Sequence, residues 1–334
     1  MTTVGSEVTG DRKDVWSFPN PREEPRYRRT VLGTCCIPWK APFELDEVMF
    51  RRSVRGLLMR GMRDLYVFGT AGEGHAVSDE LFGRVVEAFL EEMATEGATP
   101  MVGVISASLA TMRDRIQFCM ERGCKNFQFA ISDWGGNGPS EFRVVVKELC
   151  SAFPEAGFLH YNTGRSGRVV APQEYGELAE EYPNLVGTKY GAGDPEVVSG
   201  LLLYAPQLLH FFTELGFYYG SALGSCGLLA SISSTNPRRA WEYLRHAEDG
   251  ERETFTQEFR ELSTMMAALR RSVGRRGLVD GAYDKILAKV LEPEFPVVLL
   301  PPQLGGAEDA WKNYVDFLQA RFPHWLPDEV QGEL

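Results

Sequence analysis

The sequence predicts an α/β protein, a (β/α)8 barrel of the TIM type with a C-terminal helical extension. Three observations carry this expectation. Eight short apolar or β-branched runs recur along the chain from residue 31. Segments with helical spacing separate them, as repeated β–α units require. After about residue 236 the texture changes to long helical stretches.

Residues 1–30 are polar, charged and proline-broken, and read as an N-terminal arm, partly flexible, that Trp16 and Phe18 could pin to the body. The eight runs fall near 31–37, 64–68, 101–105, 126–131, 157–161, 185–189, 208–213 and 227–232. Between them, Phe82, Val85, Val86, Phe89, Leu90 and Met93 keep a helical period, as do Tyr175, Leu178, Ala179 and Tyr182. Ser78, Ser140 and Asp194 stand where N-caps belong, and Pro195 suits a first helical position. An open doubly wound sheet is the main alternative, but it usually has fewer strands. The stretch from Trp241 to Ser272 reads as one long helical run that supplies the eighth barrel helix. Gly274, Gly277, Gly281 and Pro301-Pro302 punctuate the chain beyond it. The expected division is an arm over 1–30, a barrel over 31–248 and a packed helical region over 249–334.

Composition removes several classes of function. The 334 residues are 44% hydrophobic and 24% charged, which is ordinary for a globular enzyme. No apolar run approaches the ~18 residues of a membrane span. A net charge of −11 argues against nucleic-acid partners. Six cysteines lie scattered in apolar stretches with no C-x-x-C pair, as reduced, buried thiols would. The first residues lack a signal-peptide core, so a cytoplasmic location is expected.

In such a barrel the chemistry stands at the C-terminal ends of the strands. Three places qualify: Gly69-Thr70-Ala71-Gly72-Glu73-Gly74 after strand two, His160 to Gly167 at strand five, and Gly187 to Asp194 at strand six. Lys189 closes strand six. Burial would favour its neutral amine, the form that attacks carbonyls; the plain alternative is a lysine paired with a carboxylate. Tyr161 and His160 face opposite ways on a strand, so only one of them reaches the interior. Tyr161 is a candidate proton carrier there or, equally, a structural tyrosine. The glycine-rich turn lacks a nucleotide-binding pattern, and its free N–H groups suit a small carboxylate. The five histidines show no metal-binding spacing, so neither metal nor organic cofactor is expected.

The ordered set G-T-x-G-E (Gly69 to Glu73), Y-N (Tyr161-Asn162) and G-x-K (Gly187 to Lys189) resembles the dihydrodipicolinate synthase / N-acetylneuraminate lyase family of class I aldolases, over roughly residues 31–325. The resemblance implies that Lys189 forms an imine with pyruvate or a related 2-oxo acid, that Tyr161 relays protons, and that Thr70 hydrogen-bonds the phenol. It also implies that the backbone of Thr70 and Ala71, with Gly69, holds the substrate carboxylate, while Glu73 and Asn162 shape the turns. The family's arginine for a second carboxylate falls by direct count on Ser166, one place after Arg165. A tyrosine that completes the family's relay across a subunit interface has no counterpart in Ile131 to Gly136, where Trp134 stands instead.

The expected function is therefore a Schiff-base lyase or synthase acting on a 2-oxo acid and an aldehyde, distinct from the lysine-biosynthesis enzyme. Dehydration of a 2-keto-3-deoxy sugar acid and hydratase-aldolase chemistry on an aromatic 2-oxo acid are alternatives through the same imine. A catalytically silent 2-oxo-acid-binding protein is the alternative of another class. The resemblance implies a homo-oligomer, tetramer or dimer, with its tight contact at the Trp134 loop. Trp134, Phe217, Tyr218 and Tyr219 are candidates either for aromatic surface at the entrance, which would favour an apolar aldehyde over a dicarboxylic one, or equally for structural roles, with Arg165 and Arg168 as further cations near the mouth.

Overall fold

The runs that become strands are mostly apolar rather than alternating, because a parallel barrel strand is buried on both faces. The computed structural model describes residues 24–135, 138–274, 277–306 and 308–327. Among them, eight parallel strands close into a barrel: β1 (Val31–Thr34), β2 (Asp64–Val67), β3 (Thr99–Gly103), β4 (Asn126–Phe129), β5 (Gly157–Asn162), β6 (Leu185–Tyr190), β7 (Leu209–Phe212) and β8 (Cys226–Ala230), with β8 pairing back onto β1. A short hairpin, Trp39–Ala41 with Glu44–Leu45, follows β1. The surrounding helices are α1 (Glu47–Met59), α2 (Asp79–Met93), α3 (Leu109–Met120), α4 (Pro139–Ala152), α5 (Pro172–Glu181), α6 (Pro195–Tyr204), α7 (Glu214–Gly220) and α8 (Pro237–Glu248). Three more, α9 (Arg252–Val273), α10 (Gly281–Leu291) and α11 (Glu308–Arg321), form the C-terminal extension, with α11 packed on both α9 and α10. No helix among the described residues is long and apolar enough to cross a membrane.

Caps set the helix starts. Ser78 accepts from the N–H of Leu81 and Asp194 from that of Glu196, ahead of Pro195. Ser140 is not a cap. Pro139, whose missing N–H costs nothing at a first helical position, starts α4 after Gly138, so Ser140 lies inside the first turn. The long run from Trp241 is likewise two helices. Gly250, with φ of 73°, breaks it, because a left-handed residue cannot continue a right-handed helix.

The barrel interior is filled by Leu32, Tyr66, Met101, Leu159, Leu209, Phe211 and Leu229, with Tyr27 completing the cluster from below. Residues 24–30, expected as part of a surface arm, instead close the barrel floor. Tyr27 and Thr30 donate hydroxyl hydrogen bonds to Asp64 at 3.2 and 2.7 Å, and Arg28 pairs with it at 2.9 Å. A carboxylate this buried must be paired, and three donors meet that need. Trp16 and Phe18 lie outside the described residues. All six cysteines are buried free thiols; Cys35 packs into the main core, Cys36 against Met49 and Phe295.

One ion pair ties the extension to the barrel. Glu73, in a left-handed conformation (φ 56°), accepts from Lys285 Nζ of α10 at 2.6 Å and from Trp39 Nε1 at 2.9 Å; its other oxygen takes the N–H of Leu300. Both charges are fully buried. Burial lowers the Lys285 pKa even against the pull of Glu73. Lys285→Met should cost about 3–5 kcal/mol, since it strands a buried carboxylate. Urea unfolding measures this, and a loss under about 1 kcal/mol would show that the pair does not hold α10 in place.

Candidate functional site

Strand alternation and register place the two main candidates side by side. Tyr161 of β5 is the register partner of Lys189 of β6, so both side chains project to the same face. His160 therefore points outward. Its Nδ1 meets the Tyr175 hydroxyl at 2.6 Å among Phe129 and Phe142, and burial lowers its pKa to about 3. His160 is a neutral core histidine. Tyr161 takes the interior.

Lys189 is 3% exposed at the floor of a cavity of about 530 Å³. Its Nζ donates to the Tyr66 hydroxyl at 3.0 Å and lies 4.1 and 4.4 Å from the ring centres of Tyr66 and Tyr161. Burial lowers its pKa to about 8, against the opposing pull of Asp280 and Asp284. Relative to an ordinary lysine, the neutral amine is thereby enriched roughly 300-fold at neutral pH. Gly69 makes room: a Cβ there would sit 2.7 Å from the Tyr66 ring and 3.3 Å from Lys189 Nζ.

A hydroxyl cluster stands above the amine. Thr70 Oγ1 is 3.4 Å from the Tyr161 hydroxyl. Both hydroxyls also donate to Asp280 Oδ2, Tyr161 at 3.3 Å, while Asp280 Oδ1 accepts from Arg165 Nη2 at 3.0 Å. Burial first, and Asp280 second, push the phenol well above its usual pKa, so it stays protonated. Asp284, one turn further along α10, is buried in the same cavity; desolvation, then Asp280, raises its pKa to about 7.

Of the residues singled out from sequence, Lys189, Tyr161, Thr70, Ala71, Asn162 and Arg165 line the cavity. Gly69 stands directly behind the amine. Asn162 also closes its own loop, donating to the carbonyl of Val170 at 3.0 Å and accepting from its N–H at 2.8 Å. Two candidates do not face the substrate space. Glu73 is drawn away by Lys285, and Ser166 is buried in a tight turn (Gly164–Ser166) outside the cavity lining. Arg165, rather than Ser166, reaches the mouth. Arg168 is absorbed by Glu174, at 2.7 and 2.9 Å.

The expected aromatic entrance is not there. Phe217 is fully buried against Tyr243 and Phe255, and Tyr218 stacks on Phe259 at 4.1 Å. Trp134, 91% exposed, and Tyr219 are also absent from the lining. Packing of α7 against α9 consumes Phe217 and Tyr218, leaving Leu215, Leu262, Met266 and the exposed Arg270 at the mouth. Tyr66, Asp280 and Asp284 escaped the sequence reading. The four-residue spacing of the two aspartates puts them on one helix face, which is the signal that was available.

No protein-family model matches the chain. Among curated proteins, it is 25% identical over 252 residues to the 4-hydroxy-tetrahydrodipicolinate synthase of Salinibacter ruber, covering 72% of this chain and 80% of that one. Identity to the Thermus thermophilus enzyme of the same name is 28% over 208 residues, 60% of this chain and 69% of the relative. A protein named as a probable 5-dehydro-4-deoxyglucarate dehydratase in Bradyrhizobium diazoefficiens is 25% identical over 169 residues, about half of each chain. The fold is shared with Proteus mirabilis N-acetylneuraminate lyase, at a TM-score of 0.76 and 16% identity over 88% of this chain and 98% of that one. It is shared equally with an E. coli K12 prophage protein of the dihydrodipicolinic acid synthase family, solved with pyruvate, at a TM-score of 0.77 and 13% identity over 87% and 98%. Through most of the barrel the chain is thus similar in sequence to 4-hydroxy-tetrahydrodipicolinate synthases, and it has the same closed architecture as N-acetylneuraminate lyase.

Proposed function

We propose that this protein is a class I aldolase-type lyase that holds pyruvate or a related 2-oxo acid as an imine on Lys189. The observation that carries the reading is the buried amine, with a lowered pKa, at the floor of an accessible cavity beside a protonated phenol. The neutral Nζ attacks the C2 carbonyl, and loss of water gives the iminium, an electron sink that acidifies C3. Tyr161 moves protons between the bound substrate and the hydroxyl cluster, with Thr70 orienting it. The backbone of Thr70 and Ala71 holds the substrate carboxylate. The enamine then adds to an aldehyde, or the sequence runs backwards as cleavage. Because Arg165 and Arg270 line the mouth, the second substrate or distal substituent is anionic rather than apolar. This reverses the preference for an apolar aldehyde drawn from sequence.

Dehydration of a 2-keto-3-deoxy sugar acid is the second reading. It is favoured by Asp284, whose raised pKa of about 7 leaves a carboxylic acid able to protonate a departing hydroxyl.

Borohydride with pyruvate should add one reduced adduct per chain, mapped to Lys189. The trapping rate at limiting pyruvate should rise about tenfold per pH unit below 8 and flatten above it, following the neutral amine. An adduct on Lys285, or none with any 2-oxo acid, would overturn the imine. Tyr161→Phe should trap pyruvate yet slow turnover by roughly 10²–10⁴-fold, the range for losing a general acid–base group; an unchanged kcat would make the phenol structural. We further propose self-association, as a tetramer or dimer, with a second copy covering the exposed Trp134. Sedimentation at micromolar concentration should show an oligomer that Trp134→Ala weakens, and a monomer in the unaltered chain would contradict this.

A further inference from the structure

The proton of Tyr161 is already directed away from the imine position. Its hydroxyl donates to Asp280 Oδ2 at 3.3 Å, and Thr70 Oγ1 donates to the same oxygen. A phenol held this way turns its oxygen lone pairs elsewhere, and Lys189 Nζ lies 4.4 Å from its ring centre. Both side chains line the same cavity, where a substrate carried by Lys189 would sit.

Asp280 itself is in an unusual position. It occupies the N-cap site of α10, where an aspartate ordinarily accepts from its own helix, yet its side chain caps nothing. The carboxylate turns to the barrel mouth, and the helix follows closely: a Cβ on Gly281 would stand 3.0 Å from the carbonyl oxygen of Ala71. The charged or titratable groups facing it are Arg165 from the β5 loop, Lys189 from β6, His75 from the β2 loop and Asp284 on its own helix, with Glu214 and Arg270 lining the same cavity from α7 and α9.

Resting on the imine reading above, we propose that Asp280 is the terminal proton acceptor of the site and that Tyr161 is the relay in front of it. As the C3–H bond of the iminium breaks, its electron pair forms the C2=C3 bond and the C=N π pair returns to nitrogen. The phenol oxygen takes the C3 proton and passes its own to Asp280 Oδ2. The cationic iminium and the anionic carboxylate become a neutral enamine and a neutral carboxylic acid, so no new charge forms in a buried site. The return of the same proton completes the reverse step. A free phenolate would instead have to form beside a carboxylate and away from water, which burial and Asp280 both disfavour. Asp280 never touches substrate; it is a positioning residue acting through Tyr161. The whole relay lies within one chain.

The test uses the full chain with pyruvate in D₂O, following C3 hydrogen exchange by NMR, with borohydride trapping run in parallel. Asp280→Asn keeps the shape of the side chain but cannot take the proton. It should still trap at Lys189 while exchange falls roughly 10²–10⁴-fold. Asp280→Glu, which restores a carboxylate on a longer stem, should recover exchange to within about tenfold of the unaltered protein. Exchange in Asp280→Asn within about threefold of the unaltered protein overturns the inference, as does equal loss of exchange in both variants while trapping persists. If Asp280→Asn fails to fold, the Glu variant decides by the same tenfold criterion. Absence of any Lys189 adduct in the unaltered chain overturns the imine reading itself, whereas an adduct without exchange there overturns only the role of Asp280.

Discussion

The site depends on where α10 docks, and the buried pair of Glu73 with Lys285 fixes that. Two full charges are out of water at 2.6 Å, and Trp39 and the N–H of Leu300 fill the remaining acceptor capacity of the carboxylate. A pair buried this deeply contributes little net stability compared with apolar packing, but its geometry is demanding. The left-handed turn at Glu73 aims the carboxylate beneath the β2 loop, and Lys285 brings α10 down onto that loop. Thr70 on the loop and Asp280 on the helix are thereby brought into hydrogen-bond contact. The glutamate that the resemblance assigns to shaping a turn also holds together the elements that line the substrate space.

Electrostatics at the cavity floor balance two opposing effects. Desolvation drives Lys189 toward its neutral form and Asp284 toward its protonated form, while each partly restrains the other through its charge. Asp280 instead faces Arg165 at the rim. One helix therefore presents two carboxyl groups in different environments, one paired and partly exposed, the other buried. Environments that separate like groups in this way are a common basis for dividing acid and base roles. Burial also explains why six cysteines and two core histidines, His160 and His210, take no part: desolvation is the largest influence on each and leaves them neutral.

The loop after β4 carries the exposed Trp134 and, among the described residues, puts no side chain into the cavity. In this chain the third polar group beside Tyr161 and Thr70 comes from the C-terminal extension. The extension thus contributes to the site as well as to the packing of the barrel's outer face.

Local rules sufficed for what the sequence by itself determined. Eight apolar runs with helical spacing between them specified the closed barrel, and the two-residue period of a strand meant that Tyr161 and His160 could not both face inward. The strand-end position of Lys189 follows from where its apolar run stops. Non-local packing decided the rest. Whether Arg165 or Ser166 reached the mouth depended on one tight turn after β5, where a single residue's shift reverses which side chain faces the cavity. Phe217 and Tyr218 were drawn into the seam between α7 and α9 because buried aromatic area outweighs exposure at the mouth. Asp280 and Asp284 shared a helix face legibly enough, but the direction of that face was set by an ion pair joining residues 73 and 285. Strand periodicity is written within each segment; the docking of a distant helix is written only in the contacts between segments, and those form once the chain has folded.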